Sequence, residues 1–289
     1  MVFAPSIQDD RPLEPGLYLV STPIGNLRDI TLRALDVLAK ADLVLAEDTR
    51  VSAKLMNAYA IKAKLQRYDD HAGEAVRPRV LERLRAGERV ALISDAGSPL
   101  VSDPGYRLVQ EALAQGSAVI PIPGASAVLA ALAAAGLPTD RFLFAGFPPS
   151  KSAGRKTLFE ELKPLRSTLV FFEGASRLGE CLADMAEVFG PRPAAVAREL
   201  TKLHETVVRG SLDELASNPA LQSPKGEIVV LVGPGGEAEI SAADAEAALA
   251  EAIVRLGPSD AAAEVARATG LPRRELYRRA IALKAARGG

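Results

Sequence analysis

The 289-residue chain has no tryptophan, one cysteine, two histidines and only 4% aromatic residues. Each scarcity excludes something. Without interleaved aromatics, a base-stacking platform is not expected. The lone Cys181 excludes a disulfide framework and suits a reducing compartment. It falls in the helical pattern Leu178, Cys181, Leu182, Met185 and reads as a small core residue rather than a reactive thiol. One cysteine and two histidines are too few for a typical zinc site. No apolar run reaches the roughly 18 residues of a membrane span; the most apolar stretch, 125–137, ends at Pro138. The start, MVFAPSIQDDRPLEPG, lacks a basic segment followed by an apolar one, so residues 1–15 read as a loose arm rather than a signal peptide. Charge of either sign is also not in excess: the net is −1, with 48% hydrophobic residues. A cytoplasmic, metal-free globular protein of one large or two medium domains is expected.

What is present is punctuated loops. Ser94 to Tyr106 holds two Gly, two Pro, two Asp and three Ser, between the apolar run Arg89–Ile93 and an amphipathic one beginning at Arg107. A polar loop at the carboxyl end of a parallel strand is where an open α/β sheet builds a ligand site. Two more loops have the same context: Thr22 to Asn26 after Leu17–Ser21, and Pro123 to Ala127 after Ser117–Pro121. In a parallel sheet all three gather at one edge. None is a Walker loop or a G-x-G-x-x-G turn, so a ligand held mainly by phosphates is disfavoured.

Strand–helix alternation over residues 16–123 predicts a parallel sheet with helices on both faces. A second α/β unit is expected over 124–236, with neighbouring strands Pro193–Leu200 and Glu205–Gly210 indicating a mixed sheet. Gly233-Pro234-Gly235-Gly236 reads as a linker to a helical unit over 237–289. Within it, Ser259–Thr269 and Pro272–Ala280, joined by a Gly-Leu-Pro turn, have helix-turn-helix spacing. From Arg255 onward, eight lysines and arginines face three acids, a net of +5 that leaves −6 for the rest. This is either a solvated helix face or a surface for an anionic partner such as nucleic acid.

Several motifs then become specific together. They are Thr22-Pro23-Ile24-Gly25-Asn26-Leu27-Arg28-Asp29-Ile30-Thr31, Ala46-Glu47-Asp48-Thr49-Arg50, Ser94 to Tyr106, Gly136 to Phe142, Gly146-Phe147-Pro148-Pro149 with Lys151 and Arg155, Ala197 to Lys202 with Glu205-Thr206, and Lys225-Gly226-Glu227. In this combination the chain resembles the tetrapyrrole-methylase superfamily and, within it, the ribosomal small-subunit RNA 2′-O-methyltransferases. The resemblance spans roughly Gly16 to Gly233, and the helical tail is similar to that family's small C-terminal domain. One segment departs: where the family commonly has Phe-Tyr-Glu-Ser-x-His-Arg, this chain has Phe171-Phe172-Glu173-Gly174-Ala175-Ser176-Arg177.

The resemblance implies two α/β domains with a cofactor cleft between them and a small helix-turn-helix-like domain. It implies S-adenosylmethionine as cofactor, a cytidine ribose in the decoding region of 16S RNA (in the 30S subunit or naked) as substrate, and a homodimer. The expected cofactor-binding residues are Pro23, Ile24, Gly25, Asp95, Ala96, Gly97, Ser98, Ser102, Pro123, Ser126 and Ala127. Asp95 is expected to accept hydrogen bonds or offset the sulfonium charge; a turn cap is its alternative. Lys202, Glu199 and Glu47 are expected near the reacting ribose, although a strand-end ion pair also explains Glu199 beside Arg198. Arg50, Lys151, Arg155, Arg177, Arg273, Arg274 and Arg278 are the expected RNA contacts. Two other readings stand beside this one: a methylase of tetrapyrrole intermediates, and a non-catalytic RNA-binding assembly protein. The basic tail and the Lys/Arg-bearing loop after Pro149 favour RNA.

Overall fold

In the computed structural model the described residues are 12–69, 72–235, 242–269 and 271–287. Residues 1–11 of the expected arm, His71, Gly236 of the linker and Gly270 of the tail turn lie outside them.

Five short apolar segments pair side by side. They are β1 (Gly16–Val20), β2 (Leu43–Ala46), β3 (Leu65–Arg67), β4 (Arg89–Ile93) and β5 (Val119–Ile122), in the order β3-β2-β4-β1-β5 and all parallel. Residues such as Leu17, Val44 and Leu45 are fully buried, as strands covered on both faces require. The crossovers are α1 (Leu32–Lys40), α2 (Thr49–Ala58), α3 (Ala72–Arg85) and α4 (Tyr106–Ala114). Thr31 starts α1 by accepting from the Ala34 amide at 3.1 Å, and Asp48 starts α2 by accepting from that of Arg50 at 2.8 Å.

The second sheet is mixed. It comprises β6 (Phe142–Phe144), β7 (Thr168–Gly174), β8 (Pro193–Arg198), β9 (Thr206–Ser211) and β10 (Glu227–Val232), ordered β6-β7-β10-β8-β9. Only β6 and β7 run parallel; the other neighbours are antiparallel. One face packs against α5 (Ala127–Ala135), and the other against α6 (Ser152–Leu162), α7 (Leu178–Phe189) and α8 (Leu212–Ala216). Cys181 is fully buried in that second layer, as its helical pattern predicts.

The tail forms α9 (Ala242–Arg255), α10 (Pro258–Thr269) and α11 (Arg273–Arg287). Leu249, Ala252, Ala261, Val265, Leu276 and Ala280 make a separate apolar cluster among these three helices. Beyond shifts of a residue or two at strand ends, sequence and structure differ in β3, β6 and α11. The edge strand β3 was not expected, because Leu-Gln-Arg carries no alternation. β6 is shorter than the 141–147 run, which turns at Gly146 with φ +68°. Helix α11 continues past Ala280 to Arg287.

Candidate active site

Parallel pairing of β4, β1 and β5 places their carboxyl ends next to one another, and the three following loops interlock. Thr22 and Gly97 exchange backbone hydrogen bonds at 2.8 and 3.1 Å. The Ser21 and Ser98 hydroxyls lie 2.9 Å apart. Asp95 Oδ1 accepts from the Asp48 amide at 3.0 Å, which fixes the β2–α2 loop to the same cluster.

These loops and the ends of β7 and β10 enclose a cavity of about 510 Å³. Ile24, Asp95, Ala96, Gly97, Ser98, Ser102, Ser126, Ala127 and Glu47 line it, as do Asp103, Phe147, Phe172, Glu173 and Glu227. Glu47, Asp95, Asp103 and Glu227 bring carboxylates to its lining, the last of them paired with Lys202, and no lysine or arginine lines it. Glu173 is 3% exposed. Its side chain is fully buried: Oε1 accepts from the Gly174 amide and the Arg177 guanidinium, both at 2.6 Å, and the carboxylate also takes a hydrogen bond from the Cys181 thiol of α7. Burial pushes the Asp103 carboxyl up to about 6, against a hydrogen bond from Ser94 and with the Asp95 charge adding to the rise. Phe172 stacks edge-on with Phe144 and Phe147, with centroids 4.7 and 5.5 Å away.

A second cluster sits where the first-sheet loops meet the β8–β9 loop. Lys202 Nζ lies 2.9 Å from Glu199 Oε1 and 3.0 Å from Glu227 Oε2. Burial alone would lower the ammonium's pKa, but its bonds to Glu199 and Glu227 hold it above its ordinary value. The Glu227 amide, then Lys202, hold the Glu199 carboxyl below its own. Lys202 is therefore a fixed cation rather than a base. Close backbone approach makes this possible. A Cβ on Gly25 would lie 2.5 Å from Lys202 Cγ, and one on Gly226 would lie 2.5 Å from Glu199 Cγ. Glu199 and Thr201 hold positive φ angles of 51° and 66°, a strained pair in a loop that Thr201 Oγ1 ties to the Asn26 amide at 3.1 Å.

The remaining sequence expectations fall in varied places. Pro23 and Gly25 line a smaller neighbouring pocket rather than the large cavity. Pro123 is exposed and lines neither, because the chain turns inward only from Ala125. Arg50 is 89% exposed and grips its own helix cap Asp48 at 2.6 Å. Lys151, Arg273, Arg274 and Arg278 are exposed. Arg177 is committed to Glu173. Arg155 is 2% exposed: its Nε donates to Asp184 Oδ2 at 2.7 Å and its Nη1 to the Ser150 carbonyl at 2.8 Å, so it faces no RNA. Asp103 and Glu227 were not read as site residues. Asp103 lay inside the polar loop, but nothing local separates a buried aspartate there from a turn residue.

The loop edge of the first sheet and the ends of β7 and β10 frame one carboxylate-lined cavity, and comparison with known proteins supplies the class, a methylase. Residues 16–216 match the model of the tetrapyrrole (corrin/porphyrin) methylases, and residues 239–284 that of the RsmI C-terminal HTH domain. A solved uroporphyrin-III-C-methyltransferase from Thermus thermophilus superposes with a TM-score of 0.54 at 26% identity, covering 76% of this chain and 94% of that one. The chain is 53% identical over 277 residues to ribosomal RNA small subunit methyltransferase I of Mesorhizobium japonicum, covering 95% of this chain and 94% of the relative. It is 50% identical over 273 residues to the protein of that name from Erythrobacter litoralis, covering 94% and 97%. The chain belongs to the ribosomal RNA small subunit methyltransferase I family.

Proposed function

We propose that this protein transfers a methyl group from S-adenosylmethionine to the ribose 2′-hydroxyl of a cytidine in the decoding region of 16S ribosomal RNA. The observation that carries the donor is the cavity's charge. Carboxylates from Glu47, Asp95, Asp103 and Glu227, without a lining lysine or arginine, suit a ligand bearing cationic sulfur and ammonium groups and disfavour a phosphate. When bound, that cofactor supplies an electrophilic methyl carbon. Asp95 would hold its cationic groups, and Phe147 and Phe172 offer a flat apolar wall. Phenylalanine at 172 supplies this wall without a hydroxyl.

The protein's own contribution is placement. A ribose hydroxyl is a weak nucleophile, so orientation toward the methyl carbon carries much of the acceleration. Lys202, held as a cation by Glu199 and Glu227, stabilises the oxygen as it loses its proton. Glu47 and Asp103 are cavity carboxylates able to accept that proton. Arg50, Lys151, Arg273, Arg274 and Arg278 are exposed and remain the proposed phosphate contacts.

The proposed organisation is an arm over 1–15, a first α/β unit over 16–123, a second over 124–236 and an RNA-contacting helical unit over 237–289. A cytoplasmic homodimer fits this reading. Among the described residues no helix is long and apolar enough to cross a membrane. Exposed Tyr106 and Leu113, seven residues apart on α4, offer apolar area to a second copy. The test is incubation with labelled S-adenosylmethionine and either 30S subunits or naked 16S RNA lacking the modification, with the product mapped. Label on the cytidine ribose is the expected result. Label on a tetrapyrrole offered in a parallel incubation but none on the RNA, or cofactor binding without transfer, would refute it.

A further inference from the structure

A second pocket of about 250 Å³ opens beside the donor cavity and shares Ile24, Asp95, Ala96 and Glu227 with it. Its polarity differs. Where the donor cavity has no lysine in its wall, this pocket has Lys54 and Lys202. Leu27 and Val51, 47% and 38% exposed, add apolar surface at its opening. Ser52 in its wall is buried, yet its Oγ has no hydrogen-bond partner among the described residues. An unpaired buried hydroxyl is costly unless something pairs with it.

We infer that this pocket receives one unstacked nucleotide of the substrate RNA, with the base against Leu27 and Val51, a neighbouring phosphate on Lys54, and Ser52 pairing with the polar edge of the base. The inference rests on the ribosomal RNA reading above and specifies where the acceptor enters. Size favours a nucleotide. The pocket falls below the roughly 300 Å³ at which sites for drug-sized ligands begin, which excludes a tetrapyrrole macrocycle and leaves room for a single base. Asp95 and Glu227 line this pocket too and Glu227 pairs with Lys202, so the anion that a nucleotide brings falls to Lys54. Lys202 stands in this pocket's wall beside the shared residue Glu227, 3.0 Å from its carboxylate. Extracting one nucleotide costs stacking energy, which contacts of these kinds offset.

The test uses the full chain with Lys54→Ala, Ser52→Ala and Val51→Trp. S-adenosylmethionine binding is measured by calorimetry, and kcat and KM are measured on 30S subunits lacking the modification. Lys54→Ala is expected to raise KM about tenfold with kcat within about twofold, as a lost positioning contact does. Ser52→Ala is expected to raise KM less, and Val51→Trp to abolish transfer, with donor binding intact in all three. Lys54 is exposed, so its variant keeps the test decisive if the tryptophan variant does not fold. An active wild type beside Lys54→Ala and Val51→Trp variants with unaltered kcat and KM would overturn the pocket assignment alone. So would a tenfold loss of donor affinity in Val51→Trp, which would give the pocket to the cofactor. A wild type that labels no ribosomal RNA would overturn the underlying reading.

Discussion

Arg155→Leu is expected to destabilise the protein by about 3 kcal/mol, the lower end of the range for breaking a buried ion pair. The guanidinium is 2% exposed and serves Asp184 at 2.7 Å, the Ser150 carbonyl at 2.8 Å and Glu180 at 3.4 Å. Leucine fills part of the volume but leaves the Asp184 carboxylate, 11% exposed, without its main counter-charge. Two partners soften the loss: Ser152 Oγ at 2.9 Å and Lys156 Nζ at 3.8 Å. Glu180 is 77% exposed and regains water, so its share is small. At roughly 2–4 °C per kcal/mol for a domain of this size, thermal denaturation is expected about 6–12 °C lower. Arg155→Leu combined with Asp184→Leu is expected to recover most of that, since removing both charges removes the stranded one. Ribosomal RNA affinity and its salt dependence are expected to stay unchanged in the folded variants. A single variant that melts within a degree of wild type but loses RNA affinity would refute the reasoning, because it would place the side chain at the RNA surface.

Other outcomes follow from the same contacts. Lys202→Ala is expected to lower kcat for ribosomal RNA methylation about a hundredfold, the scale of one lost stabilising donor, with S-adenosylmethionine affinity kept; equal losses in both would make Lys202 part of the donor site. Gly25→Ala places a Cβ 2.5 Å from Lys202 Cγ and is expected to show the same kinetic defect more weakly, with crystallography locating a displaced Lys202. Asp103, with its carboxyl at about 6 against an ordinary 3.8, binds its proton more tightly when folded. Its stabilising contribution is therefore full below about pH 4 and lost as pH rises through 6. Asp103→Asn should thus gain on wild type by about 1 kcal/mol between pH 4 and pH 7, discounted because the group is only half-buried, and denaturant melts at both pH values read the difference. Removing residues 237–289 is expected to weaken RNA binding and flatten its salt dependence while donor affinity holds; an unaltered salt slope would assign the basic tail to solvent.

Much of this architecture was legible because its signals are local. Buried parallel strands read as continuous Leu/Val/Ala runs, and the three Gly/Pro/Ser loops stand out against them whatever the rest of the chain does. Their gathering at one edge needed only the rule that parallel strands share a direction. The β8–β9 neighbours also read correctly, since antiparallel pairing needs no crossover. The short β3 did not, because a three-residue edge strand takes its conformation from the strand beside it.

The sequence by itself determined the two α/β layers, the loop edge that lines the cavity, and the helical basic tail, for each depends on periodicity or punctuation within a few residues. Only the tertiary structure decided what individual charged side chains do. Arg155 and Arg50 look alike in sequence, yet one is buried against Asp184 and the other is 89% exposed. Lys202 acquires its fixed charge from Glu199, three residues away, and from Glu227 on another strand. Likewise Asp103 is perturbed only because folding withdraws it from water beside Asp95. A charge's role depends on its partners and its solvation, and both are set by parts of the chain distant in sequence.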